Sequence, residues 1–142
     1  AIGYGEAEAL KIEIGNAKFT EYDKNDKMVV KGRNIATGVP DERIIYAKVV
    51  SEALDEVISM IVTSIKQVLE VTKPELSVDI MESGIVLSGG GALLKRLPER
   101  LYDEIGIPVH LSKIPLDSVA IGAGKMLKEL NKQGKEHERR SR

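Results

Sequence analysis

Three consecutive glycines, Gly89, Gly90 and Gly91, sit in the phrase Leu87-Ser88-Gly89-Gly90-Gly91-Ala92-Leu93-Leu94, between an apolar run and a helix-like stretch. Glycine loses more chain entropy on ordering than any other residue, so a triplet inside ordered structure needs a reason. At a strand end, backbone without Cβ atoms lets N–H groups approach a phosphate or another polar ligand edge, with a helix N-terminus behind them. A bare strand-to-helix turn needs the same residues, and the local sequence leaves both readings open. A second pair, Glu8 and Lys11, stands at i, i+3 on a helix-forming stretch. Taken alone it reads as a surface ion pair worth roughly 0.2–0.5 kcal/mol.

Two common nucleotide motifs fail against these residues. A P-loop requires G-x-x-x-x-G-K-[ST], but the Gly124-Lys125 pair is followed by Met126 and falls inside a predicted helix. A dinucleotide fingerprint requires G-x-G-x-x-G and an acidic residue closing the next strand. Here Leu94 stands where the third glycine belongs, and that strand ends His110-Leu111-Ser112-Lys113. The two histidines, His110 and His137, are far apart and the sequence has no Cys, so thiolate chemistry is excluded and a histidine metal site is not expected. His110, on an apolar strand, reads as a satisfied core residue, and Gly122 and Gly124 read as close-packing positions on a helix.

These residues need elements to hold them. "GEAEALK" reads as the close of a short helix, and "KIEIG", with Ile12 and Ile14 alternating against Lys11 and Glu13, reads as a half-buried strand. A polar turn around Asp23–Asp26 leads to a strand "MVVKGRNI", broken at Gly32, then a turn and a third strand, "RIIYAK". From Val49 to Leu69 the apolar residues recur at i, i+3, i+4 and i+7 over about six turns, which predicts a long amphipathic helix. A short helix from Pro74 stops before Gly84. "GIVLS" and "IPVHL" then alternate with helices over "ALLKRLPERLYDEIG" and "PLDSVAIGAGKMLKEL", the last starting near Asp117 or Ser118. Strand–helix–strand–helix with short links predicts an α/β layer with parallel strands. The stretch 131–142 carries no apolar residue and reads as a solvated or disordered tail.

The 142 residues suit one domain or two small lobes. A net charge of −1, with 42% apolar and 30% charged residues, gives no case for a nucleic-acid binder. No apolar run approaches the roughly 20 residues of a membrane span, and no signal-peptide pattern opens the chain. The first residue is Ala1 rather than Met, so the sequence reads as a processed or excised piece.

Four phrases are more specific: "AEALKIEIGNA", "GRNIATGVP", "TKPELSVDIMESGIVLSGGGALLKRLPERL" and "GIPVHLSKIPLDSVAIGAGKML". In order and spacing they resemble the MreB branch of the actin, Hsp70 and sugar-kinase superfamily, the bacterial rod-shape-determining actin homologues. The resemblance runs from residue 2 to about 130 and covers only the C-terminal part of such a protein. It implies an α/β, actin-like (ribonuclease H-like) second lobe. Residues 1–48 would form its small sheet-containing subdomain and 49–130 its large α/β subdomain. It also implies a nucleotide site, ATP or ADP with Mg2+ in the intact parent, in which Glu8 and Lys11 approach adenine and ribose. In the same site Gly89, Gly90, Gly91, Ala92 and Leu93 contact the adenosine and α-phosphate region. Family members hold the outer phosphates and the metal with Asp-x-Gly loops, and this sequence contains none.

The resemblance further implies a cytoplasmic, membrane-associated filament protein that maintains rod shape. Its partners would be copies of itself, head to tail, and the cell-wall elongation machinery, with membrane contact through a first lobe and no nucleic acid. This chain is expected to bind little or no nucleotide alone and not to hydrolyse it. Rival readings are a plasmid-segregation or chaperone-type actin-fold ATPase and a Rossmann-like nucleotide-dependent enzyme.

Overall fold

In a computed structural model the chain is described over residues 1–140, with side chains to residue 130; the polar stretch 131–142 lies outside the side chains so described. Helix α1 (Tyr4–Ile14) leads through a 3₁₀ turn (Glu21–Asp23) into strands β1 (Lys27–Arg33) and β2 (Pro40–Tyr46). Helix α2 (Ala47–Glu70) follows directly, then α3 (Pro74–Ser83). Strand β3 (Ile85–Leu87), a 3₁₀ turn (Gly90–Leu93), α4 (Leu97–Ile105), β4 (Val109–Leu111) and α5 (Ser118–Arg140) complete the chain.

The architecture is mixed α/β with two small sheets. β1 and β2 pair antiparallel, from Lys27 opposite Tyr46 to Arg33 opposite Pro40. β3 and β4 pair parallel, Ile85 with Val109 through Leu87 with Leu111, as the strand–helix–strand order predicts. Two apolar clusters stabilise these layers. One gathers Leu10, Val30 and Val50 between α1, β1 and the first turns of α2. The other gathers Ala17, Ile58, Val62, Leu97 and the fully buried Leu101 between α2 and α4. Leu54 packs against both, so α2 is the shared beam.

Several expectations need correction. The "KIEIG" stretch is the last turn of α1, not a strand. Leu10 and Ile14, four apart, turn together toward Val30 and Val50, whereas Ile12 is 69% exposed. Burial along the 3.6-residue period overrides the two-residue alternation. Strand β1 runs through Gly32 to Arg33, and a Cβ on Gly32 would sit 2.3 Å from the Ala1 carbonyl oxygen. Thus Gly32 marks a close backbone approach rather than a break. The third strand stops at Tyr46, and Ala47 already opens α2. Gly122 and Gly124 pack against nothing among the described residues, since a Cβ on either would meet no atom within 4 Å. His110 is exposed on β4 rather than buried in a core. Among the described residues, no helix is long and apolar enough to cross a membrane.

Candidate functional site

Helix α1 sets Glu8 and Lys11 one turn apart. Lys11 Nζ donates to both Glu8 carboxylate oxygens, at 2.8 and 2.7 Å. The two side chains are 39% and 41% exposed, so water screens the pair and its contribution to stability stays within about 0.5 kcal/mol. Both line a cavity of about 840 Å³ between α1, the β1–β2 hairpin and the start of α2, whose walls include Leu10, Val30, Ile45 and Val50. A lysine stem beside an apolar wall can cover a flat ring, and a carboxylate accepts from hydroxyls.

The glycine triplet divides by role. Gly89 has φ +86° and ψ 167°, a region closed to side-chain-bearing residues, and its N–H donates to the Pro115 carbonyl at 2.6 Å. Gly90 and Gly91 enter the 3₁₀ turn and are exposed. A Cβ on Gly91 would meet nothing within 4 Å, and one on Gly90 only Leu116 Cδ2 at 3.5 Å. The backbone therefore demands only the first glycine, and the other two leave bare main chain on the surface. Ala92 is buried beneath them and Leu93 is exposed.

The helix expected to begin at Ala92 does not. Leu94 is extended, Arg96 is left-handed (φ 58°), and α4 starts at Leu97 with Pro98 in its first turn. The helix dipole thus begins beyond the glycines rather than directly behind them.

None of Gly89, Gly90, Gly91, Ala92 and Leu93 lines the cavity that Glu8 and Lys11 line. What links the two groups is the segment after α1. Asn16 bridges to Lys95 in parallel, and the Ala17 N–H donates to the Lys95 carbonyl at 2.9 Å. The end of the helix carrying Glu8 and Lys11 is thereby tied to the residue that follows the glycine turn.

A second set of contacts reinforces this junction. Asp23 is 2% exposed. Its Oδ1 accepts from Lys95 Nζ at 2.9 Å; its Oδ2 accepts from Arg96 Nη1 and from the Thr20 hydroxyl and N–H at 2.7 and 2.9 Å. Burial alone pushes the Asp23 pKa up, but Arg96, Lys95 and Thr20 outweigh it and hold the carboxyl well below the usual carboxylate range. Arg96 also donates to the Lys18 carbonyl at 3.2 Å, and Arg100 to the Ala17 carbonyl at 3.2 Å. Asn16 is buried too, with Oδ1 accepting the Lys18 N–H at 3.1 Å and Nδ2 without a protein partner.

Sequence reasoning passed over Asp23, Lys95 and Arg96. The Thr20-x-x-Asp23 spacing is a capping-box signature and marks the local turn. Nothing in it points to cations 72 and 73 positions away. Among the described residues, no group of three or more His, Asp or Glu side chains is placed to hold a metal ion.

The sequence and fold match known relatives. The family model described as MreB/Mbl protein matches residues 1–135. The cell shape-determining protein Mbl of Bacillus subtilis (strain 168) is 40% identical over 131 residues, covering 92% of this chain and 39% of its own. The cell shape-determining protein MreB of Escherichia coli (strain K12) is 43% identical over 133 residues, covering 94% and 38%. The crystal structure of MreB5 of Spiroplasma citri bound to ADP superposes with a TM-score of 0.88 at 31% identity, over 95% of this chain and 40% of that one. Its AMPPNP-bound counterpart gives 0.89, also at 31% identity, over 96% and 40%. The chain thus spans about two fifths of the length of these relatives.

Proposed function

The chain belongs to the MreB/Mbl family, and on that premise we propose that it forms the adenosine-facing wall of an actin-type nucleotide site. The whole protein would be a filament-forming, cell-shape-determining ATPase. The observation that carries this reading is the junction at Asn16 and Lys95. It ties the helix bearing Glu8 and Lys11 to the turn bearing Gly90 and Gly91. One relative of the same fold, MreB5 of Spiroplasma citri, is bound to ADP in one structure and to AMPPNP in another, which supports a nucleotide as the ligand.

The donor set fits the nucleoside end of that ligand. The Lys11 stem covers a purine face, the Glu8 carboxylate accepts from ribose hydroxyls, and bare main chain at Gly90 and Gly91 admits the α-phosphate region, with Gly89 and Ala92 fixing the turn and Leu93 flanking it. The sequence lacks the Asp-x-Gly loops by which family members hold Mg2+ and the outer phosphates, so this reading assigns those groups to no residue of this chain. The nucleotide supplies a transferable phosphoryl group, and this chain's residues bind and orient its other end. Phosphoryl transfer depends on charge neutralisation around the outer phosphates, so the chain by itself does not hydrolyse ATP.

Within this reading residues 1–48 form a small subdomain and 49–130 a large one, joined where Val50 packs with Leu10 and Val30 and where Ala17 packs with Leu97 and Leu101. Head-to-tail self-association, contact with the cell-wall elongation machinery and a site at the cytoplasmic membrane face complete the proposal for the whole protein.

Two-dimensional amide NMR with ADP at millimolar concentration tests it. Binding by this chain alone is expected to be weak, so signals of residues 8–11 and 89–93 should shift only at millimolar ADP, and Lys11→Ala is expected to weaken the response further. A folded protein in which those signals stay still, or a magnesium-dependent ATPase activity of the chain, overturns the reading.

A further inference from the structure

We propose that Asp23 is a positioning residue: through Lys95 and Arg96 it sets the place of the Gly90–Leu93 turn relative to Glu8 and Lys11. The inference rests on the nucleotide reading for its consequence, but the clamp itself is visible without it. Four donors converge on one buried carboxylate: Lys95 Nζ, Arg96 Nη1, and the Thr20 hydroxyl and N–H. Two of them belong to Lys95 and Arg96, which follow the glycine turn after Leu94.

Arg96 is the one non-glycine residue with positive φ among those described. A left-handed backbone is costly for an ordinary residue and persists only where the surroundings over-determine it. Here they do. The Arg96 guanidinium is held by Asp23, Thr20 Oγ1 and the Lys18 carbonyl, while the preceding Lys95 carbonyl accepts the Ala17 N–H.

The glycine turn consequently has two anchors. Its first residue is fixed by the Gly89 N–H on the Pro115 carbonyl, and its far end by the Asp23 clamp. Between them i, i+3 bonds of the 3₁₀ turn shape it, among them Ala92 N–H to the Gly89 carbonyl and Leu94 N–H to the Gly91 carbonyl, each 3.2 Å. Asp23 lies on the segment that continues from α1, so the second anchor is referenced to the helix bearing Glu8 and Lys11. Removing the Asp23 charge frees Lys95 and Arg96 to swing toward solvent and lets the turn drift, with every nucleotide-contacting side chain unaltered.

Amide hydrogen exchange and ADP titration of Asp23→Asn test this, with Val62→Ala as a control that loosens the apolar cluster shared with Ala17 and Leu97 but leaves the carboxylate and its four donors in place. Under conditions where both variants are folded, Asp23→Asn is expected to speed exchange at Ala17, Ala92 and Leu94 at least tenfold more than Val62→Ala does. It should also weaken ADP binding threefold or more, while Val62→Ala leaves ADP binding within twofold of the unaltered protein. Equal exchange at those three amides in the two variants overturns the clamp. If Asp23→Asn does not fold, Arg96→Gly, which removes the cation but accepts the left-handed backbone, is held to the same comparison. If ADP shifts no signal in the unaltered protein, the nucleotide reading falls, and the exchange comparison alone decides for or against the clamp.

Discussion

Two carboxylate–lysine pairs of nearly equal length sit a short way apart in this chain and do different work. Glu8 meets Lys11 at 2.7 Å on an open helix face, and Asp23 meets Lys95 at 2.9 Å beneath the junction of two layers. Glu8 keeps 39% of its side-chain surface in water, and Asp23 keeps 2%. Coulomb attraction at one distance is several times stronger away from water, but an ion taken out of water must be fully bonded to remain charged. Asp23 meets that condition with a second cation and two Thr20 donors. Glu8 and Lys11 need not meet it, so they stay available to a ligand. A short ion pair is structural where it is buried and saturated, and a candidate for binding where it is not.

That contrast can be broken from the buried side first. Leu101, with no exposed surface, packs among Ala17, Ile58, Val62 and Leu97 directly under the junction. Leu101→Ala is expected to lower unfolding free energy by about 3–4 kcal/mol in urea titration. Asp23→Asn should cost about 2–3 kcal/mol, less than a fully buried pair, because Lys95 and Arg96 retain access to water.

The pH dependence sharpens the same point. Asp23 is more acidic folded than unfolded, so it adds stability above the ordinary carboxylate pKa of about 3.9, and that stability drains away as pH falls below it. The unaltered protein's advantage over Asp23→Asn should therefore shrink steadily as pH falls from about 5 to about 2, without vanishing before the folded pKa is passed. A constant difference across that range would mean that the carboxylate is not the source.

Smaller effects belong to the open side. Gly89→Ala forces a side chain into a positive-φ position with free space around it, so the cost is backbone strain alone, about 1–2 kcal/mol, read as a lowered urea midpoint. Glu8→Gln should move stability by less than about 0.5 kcal/mol yet weaken the ADP response. An equal loss of stability at Glu8 and Asp23 would erase the contrast.

Local pattern made much of this molecule legible. The stripe from Val49 to Leu69 gave α2 nearly its full extent, Pro74 and Gly84 bracket α3, and the alternating last third yields the parallel β3–β4 pair. The glycine triplet stood out by local composition, whereas Glu8 and Lys11 read locally as a surface ion pair and drew notice only through the family resemblance. Pattern failed where two periods fit a short stretch, as at Ile12 and Ile14, and where backbone conformation was fixed from a distance, as at Leu94–Arg96.

The sequence by itself determined the extent of α2 and α3 and the parallel pairing of β3 with β4, because hydrophobic period, proline and glycine act over a few residues. Only the tertiary structure decided that Asp23 is buried against Lys95 and Arg96 and that Asn16 and Ala17 lie along Lys95. The burial that separates a structural ion pair from a free one is created when distant segments exclude water together, and no local spacing encodes it.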